Sequence, residues 1–227
     1  MSFTVVCDGC GAPSGPSVGI CPFCKSVMVD KKSKDSPTLT RIRELYNEGD
    51  LASALAMFVQ TERAKPKLMD NPNFLLIGIK ILLETEGPES KIRHLINHGL
   101  MLDPSHQEIN DYLEILNGKT LMTDKLNDEG EQQVLNVLRR SPRNYHALFI
   151  VGAHQFWVDG VESSAIRLLE RCVSVRPQFL RAWGCLGAIY EKLGQTHPAA
   201  RAYKQCVKLE SDPSMSDFFK QKIGALS

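Results

Sequence analysis

Prolines interrupt this chain at nearly regular intervals, and their spacing is the feature that most constrains its fold. Five of them close successive apolar stretches: Pro72, Pro104, Pro142, Pro177 and Pro213. Their separations are 32, 38, 35 and 36 residues. Between them apolar residues recur every three or four positions, which is typical of helices with one buried face. A period near 34 residues holds two helices of about a dozen residues and two turns. We therefore predict one helical hairpin in each period.

The period from Phe179 to Pro213 carries the clearest pattern. Its first helix presents one apolar stripe at positions i, i+3, i+4 and i+7, made of Trp183, Leu186, Gly187 and Tyr190. Its second helix presents residues at steps of four and three, namely Ala199, Tyr203 and Cys206. Small residues at Gly187 and Ala199 would let the two helices approach closely while larger neighbours fill the groove.

These residues resemble the tetratricopeptide repeat family, whose pattern is W-x2-L-G-x2-Y, then A-x3-F, then a closing proline. The resemblance implies an all-α chain, a solenoid of antiparallel helical hairpins over residues 37–227. The implied repeats cover 37–72, 73–104, 105–142, 143–177 and 178–213, followed by a capping helix at 214–226. Residues 105–142 match the pattern least, since Gly118 to Gly130 suggests a long interhelix segment and no small residue marks the first helix.

A cysteine-rich leader precedes the array. Two Cys-x2-Cys pairs stand ten residues apart, formed by Cys7, Cys10, Cys21 and Cys24. Each pair can direct two thiolates at one tetrahedral ion, so we predict that these four residues bind one Zn²⁺. The pattern looks like the zinc ribbon family. We assign residues 1–30 to this ribbon and residues 31–36, which are polar and lack apolar periodicity, to a linker.

The predicted zinc site is structural, because four protein ligands leave no open position to activate water. Two other readings of the cysteines stay open at this stage, a redox dithiol and an iron–sulfur centre. We find no phosphate-binding glycine loop, no helical zincin motif and no recognisable pair of catalytic carboxylates in the sequence. We therefore expect that the chain is not an enzyme.

A stack of helical hairpins has a concave face that suits extended peptides or a partner's helix. The leading hypothesis is a scaffold or adaptor that binds a protein or peptide partner in this groove. The alternative is nucleic-acid or transcription-machinery binding through the ribbon, within residues 1–34. Charge argues against it, because 27 Lys and Arg face 26 Asp and Glu, a net charge of +1 that gives no general attraction for phosphate.

We expect a cytoplasmic protein with no membrane partner. No apolar stretch approaches the roughly 20 residues that a bilayer requires, and the N-terminus has no basic region followed by a long apolar one.

Several other residues have simpler readings. His94 and His98 are four positions apart, but Leu95 stands where a metalloprotease would need its glutamate, so we predict ordinary polar positions near a helix end at Gly99. Trp157 and Trp183 are predicted to be core residues. The remaining cysteines are predicted to be small apolar fillers at Cys172, Cys185 and Cys206.

Overall fold

A computed structural model describes the backbone at residues 5–6, 13–14, 19–20, 27–28, 36–123 and 127–226, and the side chains at 36–123 and 128–226. The described part of the leader forms two antiparallel two-residue ladders. Strand β1 (Val5–Val6) pairs with β2 (Pro13–Ser14), and β3 (Gly19–Ile20) pairs with β4 (Val27–Met28). The four predicted zinc ligands, Cys7, Cys10, Cys21 and Cys24, lie outside the described residues.

All regular structure described after residue 36 is helical, so the all-α prediction for this part of the chain is confirmed. A short 3-10 helix, Pro66–Asp70, follows α2. The α-helices are α1 (Pro37–Glu48), α2 (Leu51–Ala64), α3 (Pro72–Glu84), α4 (Glu89–Leu102), α5 (Gln107–Thr123), α6 (Asn127–Arg140), α7 (Tyr145–Trp157), α8 (Glu162–Val175), α9 (Leu180–Lys192), α10 (Thr196–Leu209) and α11 (Pro213–Ala225). Among the helices described, none is both long and apolar enough to cross a membrane.

The chain divides into two compact units, residues 1–40 and 41–227. In the second unit, sequential helices pack as antiparallel hairpins: α3 with α4, α5 with α6, α7 with α8, and α9 with α10, with α11 against α10. The division into ribbon, linker and numbered repeats stays a prediction.

Local signals in the sequence account for where these helices begin and turn. Asn144 caps α7 by accepting a hydrogen bond from the Ala147 amide, and Asp212 caps α11 in the same way just ahead of Pro213. The turn between α9 and α10 contains Gly194 at φ +68°, a conformation that glycine adopts without strain.

The α9–α10 hairpin packs as its sequence predicts. A Cβ atom placed on Gly187 would stand 2.6 Å from Cδ1 of Tyr203, so only glycine fits at this crossing. Ala199 and Cys206 are fully buried beside Tyr203. The small residues thus set the helix separation, and the tyrosine ring fills the groove between the helices.

The α5–α6 hairpin corrects the prediction of a long interhelix segment from Gly118 to Gly130. Gly118 lies inside α5 and Gly130 inside α6, so the supposed long interhelix segment is mostly helix. The two glycines face each other. A Cβ on Gly118 would stand 2.8 Å from the Gly130 carbonyl oxygen and 2.6 Å from Cγ2 of Val134. The small residue that seemed to be missing from the first helix is therefore Gly118.

A similar correction applies to α4. The helix continues past Gly99 to Leu102, and Gly99 is buried against the Ile109 side chain of α5. His94 and His98 do share a face of α4, with ring centroids 6.4 Å apart. In both cases a glycine lies where two helices approach closely, although the sequence suggested that the helix is interrupted or ends there.

Candidate functional site

A buried polar cluster, which we call the inner cluster, joins distant parts of the array. It consists of Tyr46 from α1, Glu84 from α3, Tyr145 from α7 and Arg176, which follows α8. Both tyrosine hydroxyls donate to the Glu84 carboxylate, Tyr145 at 2.6 Å. The guanidinium of Arg176 donates to the same carboxylate at 3.2 Å and to the Tyr46 carbonyl at 2.7 Å. The Glu84 carboxylate thus accepts hydrogen bonds from three side chains that belong to three separate parts of the fold.

The inner cluster is closed to solvent and its charges are paired. Only 1% of the Glu84 side chain and 8% of the Arg176 side chain are exposed. Burial, reinforced by the negative charge of Glu84, raises the pKa of Tyr46 and of Tyr145 well above the ordinary tyrosine value. Both hydroxyls stay protonated at neutral pH. We interpret this cluster as a structural tie, since its hydrogen-bonding groups already satisfy one another.

The imidazole of His146 is buried next to the inner cluster. Its Nδ1 lies 3.3 Å from the Tyr112 hydroxyl, and its ring packs against the rings of Tyr145 and Phe179. Burial, with the nearby positive charges of Lys80 and Arg176, lowers the pKa of His146 well below the usual value. This imidazole is therefore neutral at physiological pH.

The C-terminal cysteines behave as predicted in two of three positions. Cys172 and Cys206 are fully buried, and burial raises the pKa of both thiols, that of Cys206 to about 12. They are unreactive core residues. Cys185 is only partly buried and packs against the buried core cluster.

The opposite end of α7 opens onto a hollow of about 540 Å³ between α5, α7 and α9. We call this surface the α7 face. On α7 it is formed by residues at i, i+3, i+4 and i+7: Ile150, Ala153, His154 and Trp157. The other side of the same helix buries Leu148, Val151 and Gly152, with Gly152 against Leu169 of α8. Helix α7 therefore carries apolar residues on two faces, of which α8 covers only one.

Trp157 is the most prominent residue of the α7 face and corrects a prediction. The sequence reading placed it in the core, but 65% of it is exposed. Its ring stacks edge-on against Phe156, at 4.5 Å between centroids, and Val158 beside it is also exposed. Trp183, in contrast, is partly buried, and its indole N–H donates to the Pro177 carbonyl at 2.8 Å.

Two cations border the α7 face. Arg181 of α9 lies over the Phe149 ring at 4.8 Å and pairs with Glu86 at 3.0 Å. Lys119 of α5 is exposed and has no ion-pair partner among the residues described. A second hollow of about 220 Å³, lined by parts of α3 and α4, shares Lys119, Phe149 and Arg181 with the first. The apolar surface is thus continuous, and Lys119 and Arg181 lie along one part of its border, with Glu86 paired to Arg181.

Sequence reasoning predicted a binding groove without naming its residues. The structure brings together Lys119, Trp157 and Arg181, none of which was singled out as a binding residue. One signal was present: α7 is apolar nearly all round, more than one packed neighbour requires. The cysteine site and the proposed nucleic-acid contact within residues 1–34 fall outside the described residues.

Comparison with known proteins gives only distant likenesses. No family model matches the chain, and no curated protein matches it. Among solved structures, the type IV pilus biogenesis factor PilW is 21% identical with a TM-score of 0.44, covering 83% of this chain and 84% of PilW. YrrB, described as a TPR protein with an unusual peptide-binding site, is 12% identical with a TM-score of 0.43, covering 84% of this chain and 94% of YrrB. MamA is 18% identical with a TM-score of 0.41, covering 74% of this chain and 93% of MamA. Nothing about function is carried over from these three proteins.

Proposed function

We propose that the chain is a non-catalytic interaction scaffold that binds an apolar segment of a partner protein, bearing at least one carboxylate, on the α7 face. The observation that carries this proposal is the exposure of Trp157 beside an apolar hollow with positive charge on its border.

The exposed apolar side chains favour an apolar partner, because binding would remove them from water. Leaving an aromatic side chain in water forgoes roughly 1.5–3 kcal/mol of burial free energy. Single exposed apolar residues are common, but Trp157 is continuous with Val158, Met122, Phe149 and Ile150 around one hollow. Such concave apolar surfaces with a few polar groups are the usual form of binding sites, and tryptophan is enriched among the residues that dominate binding free energy.

The two cations at the border of the α7 face favour a partner segment with negative charge. Lys119 has no partner among the residues described, and Arg181 is only partly neutralised by the exposed Glu86. A carboxylate on the bound segment would pair with either cation at the border of the face, where such contacts raise association rates and specificity. A basic group at this part of the border would meet these two charges unfavourably.

The inner cluster limits where the partner lies. The interior between α1, α3 and α7 is occupied by the chain's own Glu84 and Arg176 side chains. We place the bound segment on the α7 face, between α5, α7 and α9, where Trp157 is exposed.

Selection from a random library of displayed 12-residue peptides, with the full chain as bait, tests this proposal. We expect enriched peptides to combine an aromatic or large aliphatic residue with Asp or Glu. Trp157→Ala should abolish the enrichment, and Lys119→Glu should shift it away from acidic peptides. Phe218→Ala is the matched control, because Phe218 is an exposed aromatic of α11, far along the chain from the α7 face. Enrichment that survives Trp157→Ala, or no enrichment at all, would contradict the proposal.

We also propose that Cys7, Cys10, Cys21 and Cys24 hold one structural Zn²⁺ in a reducing, cytoplasmic setting. The donor set supports this, since four thiolates suit tetrahedral zinc. The described strands also support it, because each cysteine pair lies along the chain between two strands that pair with each other. In these ladders Val6 pairs with Pro13, and Ile20 pairs with Val27.

Metal analysis of the purified full chain tests the zinc site. We expect Cys7→Ser combined with Cys10→Ser to lower the zinc content by about one ion per chain, and Cys185→Ser, at a partly buried cysteine outside the leader, to leave it unchanged. Iron with labile sulfide, or metal-free cysteines joined as disulfides, would contradict it and favour one of the two other readings of these residues.

A further inference from the structure

Three potential metal ligands converge at the edge of the α7 face. Glu131 lies on α6, His154 on α7, and Asp159 in the turn between α7 and α8. Each offers one ligand atom, and these atoms lie within 4.8 Å of one another. They form the one such group of three or more His, Cys, Asp or Glu side chains found among the described residues.

His154 supplies a second, independent observation. Only 8% of its side chain is exposed, yet neither ring nitrogen makes a hydrogen bond in the structure. Its Nδ1 lies 3.4 Å from the Asp159 carboxylate, but the two groups are too poorly aligned for a hydrogen bond. Buried polar groups without partners cost roughly 1–3 kcal/mol each, so a buried imidazole with two free nitrogens indicates a missing ligand.

Gln155 orients the neighbouring carboxylate. Its side-chain amide donates to Glu131 at 2.6 Å, while its own carbonyl oxygen is buried without a partner. This arrangement is the one expected around a metal, where an outer hydrogen bond fixes a ligating carboxylate. Water bound to the ion would also satisfy the free amide oxygen of Gln155.

The charges of the cluster favour a cation. Among the described residues neither Glu131 nor Asp159 pairs with Lys or Arg, so two carboxylates face only one imidazole. Ligand atoms around one ion stand roughly 3–4 Å apart, so these atoms must approach one another when the ion binds. Asp159 is exposed and precedes Gly160, which has φ +69°, so its side chain has room to move toward the other two ligands.

We propose that Glu131, His154 and Asp159 bind one divalent transition-metal ion, with water in the remaining positions. A mixed imidazole and carboxylate set suits Mn²⁺, Fe²⁺, Co²⁺ or Zn²⁺. The ion would join α6, α7 and the turn before α8, and it would place an exchangeable coordination position beside Trp157. This inference rests on the ligands alone and stands whether or not a peptide binds the α7 face.

Titration of the full chain with Mn²⁺, followed by loss of the free-ion electron paramagnetic resonance signal, tests the site. Mn²⁺ prefers oxygen and nitrogen donors over thiolates, so the leader cysteines do not compete for it. We expect about one bound ion per chain and displacement by Zn²⁺. His154→Ala and Asp159→Asn should each weaken binding by more than about tenfold. Asp217→Asn, at an exposed carboxylate on α11, should change nothing.

Asp159→Asn also separates loss of the site from loss of the fold, because Asp159 is exposed in a turn and does not pack in the core. If that variant shows the same helical circular dichroism as the parent but loses Mn²⁺, the site is supported. Binding that is equal in all three variants, or no Mn²⁺ bound by the parent chain, overturns the proposal.

Discussion

The two ends of α7 carry similar residue types, but those at the first end have partners within the chain and those at the last end lack them. At its first end Tyr145 and His146 are buried, and Tyr145 is hydrogen-bonded to Glu84. At its last end His154 is buried with both ring nitrogens free, and Trp157 is exposed. The first end ties α7 to α3 and to Arg176, whereas the last end presents groups that still need partners.

This difference separates stability from function along a single helix. Where buried polar groups hydrogen-bond one another, removing one of them lowers the free energy of unfolding. Where apolar and polar groups at a surface lack partners within the chain, they indicate a ligand instead. The comparison predicts large stability effects at the first end and large binding effects with little stability change at the last.

The largest expected effect is that of Glu84→Gln. Removing this charge leaves Arg176 buried without its counter-ion, and breaking a buried pair in this way costs about 3–5 kcal/mol. Urea unfolding of the full chain measures the change. Glu86→Gln is the control, because Glu86 pairs with Arg181 at the surface and should change stability by less than about 1 kcal/mol. Equal effects of the two variants would contradict the structural role of the inner cluster.

Gly118→Ala should have the next largest effect. The added methyl would press on the Gly130 carbonyl, a backbone atom that cannot turn aside, at a cost of about 1–3 kcal/mol. Because Gly118 sets the position of α6, which carries Glu131, we expect weaker Mn²⁺ binding as well. Gly184→Ala has nothing within 4 Å of the new methyl and should be neutral or stabilising by up to about 1 kcal/mol. If Gly118→Ala were equally harmless, the close α5–α6 crossing would be wrong.

His146 should make the array sensitive to acid. Its folded-state pKa is lowered well below 6.5, so below about pH 6.5 the unfolded chain binds a proton that the folded chain does not. Stability from this residue is therefore present above pH 6.5 and falls by up to about 1.4 kcal/mol per pH unit below it. His146→Phe should remove this part of the slope in urea unfolding between pH 7 and 5.

The smallest expected effect on stability is that of Trp157→Ala. An exposed side chain contributes little to the fold, so the free energy of unfolding should change by less than about 0.5 kcal/mol. The same substitution should remove peptide binding. A loss of several kcal/mol in stability would instead show that Trp157 belongs to the core, as the sequence alone suggested.

The sequence predicted the helical fold well because its signals are local. The proline period and the stripe of Trp183, Leu186, Gly187 and Tyr190 depend only on residues within one hairpin. Gly118 and Gly130 were misread because glycine has two uses, to interrupt a helix and to let two helices cross closely. Only the position of the facing helix decides between them.

The candidate site was harder to predict because it depends on contacts between hairpins. Tyr46 and Arg176 are 130 residues apart and meet only when the array folds. Trp157 has the spacing of a core residue, and its exposure follows from the absence of a covering helix among those described. His154 and Glu131 likewise belong to different hairpins.

The most direct test follows the fluorescence of Trp157 in the Trp183→Phe variant, in which it is the only tryptophan, during titration with a peptide selected on the parent chain. The account predicts a blue shift that saturates with the affinity measured by calorimetry, because the bound segment removes the indole from water. Binding detected by calorimetry with no change in emission would contradict the account, since the partner would then lie elsewhere on the molecule.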